Sequence, residues 1–229
     1  MPNRSAGKTD RYVSRRNLSA KTRLWLQRIA QFNSHAMHLR TNRSCLLVID
    51  MQRYFVDPAG AAFFPGAQAI LGNIRRLIEA FRAATRPVLY TRHVHHPGGF
   101  DLGILGKWWG DSILDGSPDS GIYPAIAPLE GEKVIAKHRY SAFYDTDLQT
   151  ILQGLKIEDL AICGVMTNLC CESTARDAFS RDYRIFFLAD ATATNNEEMH
   201  LASLLNLGYG FAYVTTTAKT IQAMGGFAP

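Results

Sequence analysis

The residues best suited to nucleophilic chemistry lie between positions 161 and 178. The apolar start of this stretch is typical of a buried strand, Gly164 interrupts it, and a helical pattern follows from about Asn168. A strand that turns directly into a helix puts one side chain at the helix N-terminus, and here that side chain is Cys170 or Cys171. Because the free N–H groups and the dipole of a helix start favour negative charge, a cysteine there is biased toward the thiolate.

A thiolate is the nucleophile that the hydrolysis of amides, esters and nitriles requires. The alternative is that both cysteines are packed core residues, since free cysteine is among the most buried residue types. The stretch therefore predicts either a cysteine hydrolase or an ordinary core helix, and the choice depends on which groups lie nearby.

Two charged residues end other predicted strands. The apolar run 44–50 ends in Asp50, and the run 133–137 ends in Lys137. Continuous apolar runs are typical of central strands in a parallel sheet, and the carboxyl ends of such strands share the edge where ligands bind. We therefore expect Asp50, Lys137 and Cys170 to converge at one edge of the sheet.

These three residue types complement one another chemically. Lys137, together with the helix start, would lower the pKa of the thiol. Asp50 would take the thiol proton and later return it to a leaving amine. Backbone N–H groups at Met166 and Cys170 would form an oxyanion hole at the turn. Either charged residue alone is more often a helix cap or a solvated side chain, so the prediction depends on all three meeting.

Strands and helices alternate along the rest of the chain. Besides the strand before Gly164, the patterns predict strands over 44–50, 88–92, 133–137, 183–189 and 209–215, and helices over 66–86, 145–153, 196–207 and 218–224. This alternation predicts an α/β fold with a parallel sheet covered by helices on both faces, in three α-β-α layers. Residues 97–131 are rich in Gly, Pro and aromatic residues and favour a lid over the site.

The basic character of the chain is concentrated at its N-terminus. The 229 residues carry a formal charge of +5, but residues 1–43 contain ten Lys or Arg against one Asp, and the remainder is net negative. We therefore divide the chain into a basic N-terminal extension, residues 1–43, and one α/β domain, residues 44–229. Residues 1–17 are polar and lack periodicity, which predicts disorder. Apolar residues on one helical face predict an amphipathic helix over 20–36.

We interpret the extension as a solvated tail or an oligomer contact, because no RNA- or DNA-binding signature accompanies its charge. No apolar run reaches the ~18 residues of a membrane span. Residues 14–18 resemble a twin-arginine export signal, but Lys21, Arg23 and Arg28 interrupt the apolar segment that should follow. Since the four cysteines also lack disulfide-like spacing, we expect a soluble cytoplasmic protein that binds neither membrane nor nucleic acid.

Three motifs carry a resemblance to a known family. Residues 48–52 (VIDMQ), 137–143 (KHRYSAF) and 164–178 (GVMTNLCCESTARDA) resemble, in this order, the motifs of the isochorismatase-like cysteine hydrolases. The similarity covers about residues 44–215. It implies a hydrolase domain with a six-stranded, mostly parallel sheet of order 3-2-1-4-5-6. It also implies a homo-oligomer, for which the apolar face of the predicted N-terminal helix is suitable.

The resemblance also assigns roles to individual residues. It implies the catalytic triad Asp50, Lys137 and Cys170, with Cys171 as a packed helix residue. It further implies a cis peptide bond before Met166, which would turn an N–H group into the oxyanion hole.

Within the family, the chain resembles the amidohydrolase branch. Isochorismatases typically carry Gly at the nucleophile position, whereas this chain retains Cys170 and the preceding Thr167-Asn168 pair. The resemblance therefore implies cleavage of a C–N bond in a small amide, carbamoyl or ureido compound through a thioester intermediate, without a cofactor. The alternatives are vinyl ether hydrolysis of the isochorismatase type and a non-catalytic scaffold of the same fold.

Nicotinamidases of this family bind a metal through an Asp-x-His motif and a later His after the second strand. The equivalent stretch of this chain, residues 91–96, lacks that Asp, although His93 and His95 would share one face of a strand. Two histidines without a carboxylate make a weak metal site, so we expect no metal. We expect residues near the triad to form the wall of a pocket for a small-molecule substrate. The candidates are Gln52, Phe55, His93, Trp108, Trp109, Tyr140 and Phe143. Their side chains could equally belong to the core.

Overall fold

A computed structural model describes residues 11–225. At its centre is a sheet in which all pairings between the six strands are parallel. The strands are β1 (Ser44–Ile49), β2 (Val88–His93), β3 (Val134–Lys137), β4 (Asp159–Val165), β5 (Arg184–Ala193) and β6 (Tyr213–Thr215). Their order across the sheet is β3-β2-β1-β4-β5-β6, which confirms the predicted fold class and strand order.

Two groups of helices flank this sheet. The helices are α1 (Leu18–Ile29), α2 (Arg53–Val56), α3 (Pro65–Ala83), α4 (Gly103–Trp109), α5 (Leu148–Gly154), α6 (Glu172–Phe179), α7 (Glu197–Gly210) and α8 (Thr217–Ala223). Helix α3 packs against α8 and the central strands, whereas α7 packs against α1 and α6. Within residues 11–225, no helix combines the length and the apolar character that a membrane crossing requires.

The central strands are buried along their whole length. Every residue of β1 and of β4 is buried, as expected for strands that helices cover on both faces. Because β1 lies between β2 and β4, the carboxyl ends of β3, β2, β1 and β4 follow one another along one edge. Lys137 and His93 lie at the ends of β3 and β2, and Asp50 directly follows β1. The fold therefore lines up three strand ends that carry polar side chains, next to the end of β4.

Gly164 allows β4 to lie close to β1 at this edge. It pairs with Ile49 and has a φ of +120°. A Cβ atom at this position would overlap with the backbone of Ile49, so any other residue would push the two strands apart. The glycine that interrupts the sequence pattern is therefore a point of backbone contact, just before the turn that carries Cys170.

The described part of the N-terminal extension packs onto the domain. Tyr12, Val13, Trp25 and Ile29 are buried in the same core as the sheet. The predicted disorder is therefore wrong for residues 11–17, because their apolar side chains find a docking surface, while residues 1–10 lie outside the described residues. Helix α1 ends at Ile29, several residues before the predicted end at position 36.

Basic residues of the extension form ion pairs with the domain. Lys21 Nζ lies 2.7 Å from Glu197 Oε2, and Arg40 lies 2.7 Å from Asp159 Oδ1. Asp159 is fully buried and is also paired with Arg184. Burial alone would raise the pKa of Asp159, but hydrogen bonds from Arg184 and Arg40 hold this pKa below its usual range. Part of the positive charge of the extension therefore neutralises acidic groups of its own domain, which corrects the interpretation as a solvated tail.

The buried histidine of α7 predicts sensitivity to acid. His200 is fully buried, and burial lowers its pKa from 6.5 to about 4. Below pH 6.5 the unfolded chain therefore binds a proton at His200 that the folded chain does not bind until about pH 4. The burial of the neutral imidazole therefore carries no pH-dependent cost above pH 6.5. As the pH falls toward 4, the free energy of unfolding decreases by up to about 3 kcal/mol.

Urea unfolding between pH 7 and pH 4 measures this effect. The free energy of unfolding of the wild type should decrease more steeply with acid than that of the His200→Gln variant. Equal slopes for the two proteins would mean that His200 does not contribute to the acid sensitivity.

Candidate active site

The structure brings together the three residues that the sequence placed at strand ends. Lys137 Nζ lies 2.7 Å from Asp50 Oδ2 and 3.3 Å from Cys170 Sγ. Asp50 and Lys137 are fully buried, and Cys170 is 8% exposed. An acid, an ammonium and a thiol therefore lie within reach of one another at the carboxyl edge of the sheet.

Thr91 holds the carboxylate of Asp50 in place. The Thr91 hydroxyl donates to Asp50 Oδ1 over 2.6 Å and accepts a hydrogen bond from the Asp50 backbone N–H over 3.1 Å. Asp50 itself has a left-handed backbone conformation, with a φ of +49°. The threonine thus fixes one carboxylate oxygen while the other faces Lys137. Sequence reasoning missed Thr91, although it ends the apolar part of β2 two residues before His93.

Lys137 is surrounded by hydrogen-bond acceptors. Besides Asp50 and Cys170, its Nζ lies 3.0 Å from the carbonyl oxygen of Arg139 and 3.2 Å from His93 Nδ1. Burial alone would lower the pKa of Lys137, but the charge of Asp50 and the contact with Cys170 outweigh burial and raise it. The side chain is therefore an ammonium in the resting site, and its positive charge is balanced by Asp50.

Burial is the main influence on the pKa of the Cys170 thiol. Burial raises the pKa of Cys170 to about 12, and Asp50 raises it further through its charge and a hydrogen bond, while Lys137 opposes this shift. Desolvation of the sulfur thus opposes the expected bias toward the thiolate, which Lys137 favours. The proton must therefore leave the sulfur during the reaction, and Asp50 is the adjacent acceptor.

Accessibility distinguishes the two neighbouring cysteines. All four cysteines lie within the described residues, and Cys45, Cys163 and Cys171 have no exposed surface. Cys170 alone retains some, at 8%. Of the two neighbouring cysteines, Cys170 therefore keeps some exposed surface, whereas Cys171 packs into the core.

A short π-helical turn, Thr167–Cys171, carries Cys170 between β4 and α6. We call residues 167–171 the nucleophile turn. The peptide bond before it, Val165–Met166, is cis. The carbonyl oxygen of Met166 accepts hydrogen bonds from the backbone N–H groups of Leu169 and Cys171, so the chain reverses direction sharply just before the nucleophile.

Two of the predicted pocket residues contact each other. Trp109 in α4 donates its indole N–H to the Tyr140 hydroxyl over 2.9 Å. Burial is the main cause that raises the pKa of Tyr140, and the nearby Cys170 adds to it. Because its oxygen accepts from Trp109, the Tyr140 hydroxyl can donate to a ligand next to the sulfur. Trp108 differs, since it is 74% exposed and lies on the outer side of α4.

Three other predicted pocket residues contact other parts of the protein. Gln52 is fully buried, and its amide bonds the backbone of His93 and Ser120. Phe143 is 6% exposed and packs 5.9 Å from the ring of Tyr183, and Phe55 packs against Tyr54 and the core. Their place in the pocket wall therefore stays a prediction, because these contacts show what holds each side chain and not what it presents to a substrate.

His93 contacts Lys137 at the end of the neighbouring strand. Since an ammonium only donates, His93 Nδ1 accepts from Lys137, and its Nε2 carries the hydrogen that points at His95 Nε2, 3.1 Å away. Burial and the charge of Lys137 lower the pKa of His93 to about 2, so the ring is neutral. Both ring nitrogens thus have partners within the protein.

Among residues 11–225, two sets of side chains have donor atoms close enough to hold a metal ion. One consists of Asp50, His93 and Cys170, which belong to the site already described. In the other, donor atoms of His95, Asp101 and His138 lie within 4.8 Å of one another. Asp101 was missed by sequence reasoning because it lies in the irregular segment after β2, six residues beyond His95.

Known proteins share this fold and these motifs. The Isochorismatase domain family model matches residues 44–219. The chain is 43% identical over 189 residues to nicotinamidase 3 of Arabidopsis thaliana, covering 80% of this chain and 89% of that protein. It is 33% identical over 203 residues to the ureidoacrylate amidohydrolase RutB of Methylobacterium radiotolerans, covering 79% of each chain.

Among solved structures, a cysteine hydrolase from Pseudomonas syringae pv. phaseolicola is similar with a TM-score of 0.81 and 31% sequence identity. The match covers 83% of this chain and 96% of that one. The three motifs, the strand order and these similarities all agree. The chain therefore belongs to the isochorismatase-like cysteine hydrolase family.

Proposed function

We propose that the protein is a cysteine amidohydrolase that cleaves the C–N bond of a small amide, carbamoyl or ureido compound. The observation that carries this proposal is the position of Lys137 Nζ, 2.7 Å from Asp50 and 3.3 Å from Cys170. The names of the relatives support the reaction class, since nicotinamidase and ureidoacrylate amidohydrolase both denote the hydrolysis of a C–N bond.

The first half of the reaction acylates Cys170. As Sγ attacks the carbonyl carbon, Asp50 accepts the thiol proton, and the ammonium of Lys137 stabilises the sulfur while its charge develops. The backbone N–H groups of Met166 and Cys170 would stabilise the oxyanion of the tetrahedral intermediate. When this intermediate collapses, the C–N bond breaks, and Asp50 gives its proton to the leaving amine. The product of this half is ammonia or an amine, together with a thioester on Cys170.

The second half hydrolyses the thioester. Asp50, again a carboxylate, accepts a proton from the attacking water while oxygen bonds to the acyl carbon. Cleavage of the C–S bond releases the acid, and the proton held by Asp50 returns to the sulfur. Water thus adds across the original C–N bond, and no cofactor or redox partner is needed to balance the reaction.

A panel of small amides tests this proposal. Purified protein would be incubated with nicotinamide, ureidoacrylate and an N-carbamoyl amino acid, and ammonia release would be measured, with isochorismate as a separate substrate. We expect ammonia from at least one compound and an acyl adduct on Cys170 in the mass spectrum when turnover is slow. Consumption of isochorismate with no reaction of any amide would favour vinyl ether hydrolysis instead.

The proposal extends to the setting in which the enzyme acts. The four free thiols support a reducing, cytoplasmic compartment. Phe100, Ile104 and Trp108 are spaced four residues apart and are 78%, 66% and 74% exposed, and so large an apolar surface supports a homo-oligomer. Sedimentation at micromolar concentration tests the second point, and a purely monomeric species would refute it.

A further inference from the structure

The described part of the extension is connected to the nucleophile turn. We infer that residues 11–29 position this turn, with Tyr12 and Trp25 as the positioning residues. Thr167 and Asn168 begin the nucleophile turn. Trp25 acts on Thr167 through His200, and Tyr12 acts on Asn168 through Thr194. Because Cys170 is the nucleophile of the proposed function, this role rests on that proposal.

The first connection runs from Trp25 through His200. The indole ring of Trp25 lies 4.4 Å from the imidazole of His200, and its N–H donates to Glu197 Oε1 over 2.7 Å. His200 Nδ1 in turn lies 3.0 Å from the hydroxyl of Thr167. Trp25 is 1% exposed, and His200 and Thr167 are fully buried. Because these side chains are closely packed, a change at the indole of Trp25 shifts the imidazole of His200, and with it Thr167, to which the imidazole is hydrogen-bonded.

The second connection runs from Tyr12 through Thr194. The Tyr12 hydroxyl accepts a hydrogen bond from the backbone N–H of Thr194 over 3.3 Å. The hydroxyl of Thr194, which directly follows β5, donates to Asn168 Oδ1 over 2.6 Å. Thr194 is fully buried, so loss of the tyrosine hydroxyl would deprive a buried N–H of this partner.

The two connections reach adjacent residues of one turn from different elements. Thr167 and Asn168 precede Cys170 by three and two residues, so their positions set where the sulfur lies relative to Lys137. A displacement of about 1 Å between reacting groups can reduce a rate by about 100-fold. The family match begins at residue 44, so these positioning residues lie outside the matched region.

Cysteine labelling in the full-length protein tests this role without a substrate. In Tyr12→Phe and Trp25→Phe, loosening of the nucleophile turn should expose Cys171, which has no accessible surface in the wild type. We expect iodoacetamide to label Cys171 about tenfold faster than in the wild type, as followed by peptide mass spectrometry. Cys45 in β1 and Cys163 in β4 should keep their wild-type rates, because the strands are not affected.

A matched control is Ile29→Ala. Ile29 is fully buried in the same helix as Trp25, and its apolar side chain forms none of the hydrogen bonds of the two connections. Its loss should destabilise the whole fold, so any faster labelling should be shared by Cys45, Cys163 and Cys171. If labelling of Cys171 in the Phe variants does not increase, or increases only together with the two strand cysteines, the positioning role is refuted.

Kinetics of an amide substrate provide a second test. Trp25→Phe should lower kcat about tenfold and change KM by less than about twofold, because the turn bears the nucleophile and not the pocket wall. Thr167→Val interrupts the same connection. The kcat of the double variant Trp25→Phe, Thr167→Val should therefore fall no further than that of the more impaired single variant. Additive losses would refute the connection. If the wild type hydrolyses no amide, the proposed function fails, and labelling of Cys171 still decides the role of the extension.

Discussion

The Cys170→Ala variant is expected to lose amide hydrolysis almost completely, by about 10⁴-fold or more in kcat. Removal of a nucleophile that forms the covalent intermediate eliminates the reaction path, and only binding and oxyanion stabilisation remain. Ammonia release measures the loss directly. The same variant should form no acyl adduct, since the sulfur that would carry it is absent.

Cys171→Ala is the matched control for this prediction. It removes a sulfur from the adjacent residue, which is fully buried and points into the core. We expect its kcat to stay within about tenfold of the wild type, because the change leaves a small cavity without touching the reacting atoms. Comparable losses in both variants would show that disruption of the turn, and not loss of the nucleophile, explains the effect at Cys170.

The Lys137→Met variant is expected to lose both activity and stability. Lys137 is fully buried 2.7 Å from Asp50, so methionine of similar length leaves a buried carboxylate without its counter-charge. Breaking a buried ion pair in this way destabilises the fold by about 3–5 kcal/mol. The activity should fall by about 10³-fold or more, because no cation stabilises the charge that develops on the sulfur. Urea unfolding and ammonia release measure the two losses.

The double variant Asp50→Asn, Lys137→Met separates the two effects. With both charges removed, no uncompensated carboxylate is buried, and the free energy of unfolding should recover most of its wild-type value. Activity should not recover, since both the proton acceptor and the ammonium are absent. If stability stays as low as in Lys137→Met, loss of packing at Lys137, and not an unpaired charge, is the cause.

The order of the strands explains why these two residues depend on each other. Asp50 follows β1 and Lys137 ends β3, with β2 between them. The long side chain of Lys137 spans this gap past His93, whose Nδ1 lies 3.2 Å from Nζ. His93 thus contacts the lysine from the end of the strand between them.

The sequence by itself determined the fold class and indicated which residues would meet. Continuous apolar runs predict central parallel strands, and charged residues at their carboxyl ends must share one edge, so Asp50 and Lys137 could be identified without coordinates, while the family resemblance selected Cys170 over Cys171. The similarity to a family then supplied the strand order, which the structure confirms. These properties follow from local patterns that survive changes elsewhere in the chain.

Only the tertiary structure decided what surrounds the triad. Thr91, His93 and Gln52 acquire their contacts from different strands and loops, and burial raises the pKa of the Cys170 thiol. The role of the extension is likewise invisible in its polar, basic sequence, because Tyr12 and Trp25 meet partners more than 170 positions away. Side-chain direction, desolvation and long-range contact arise from packing of the whole chain, and no local pattern encodes them.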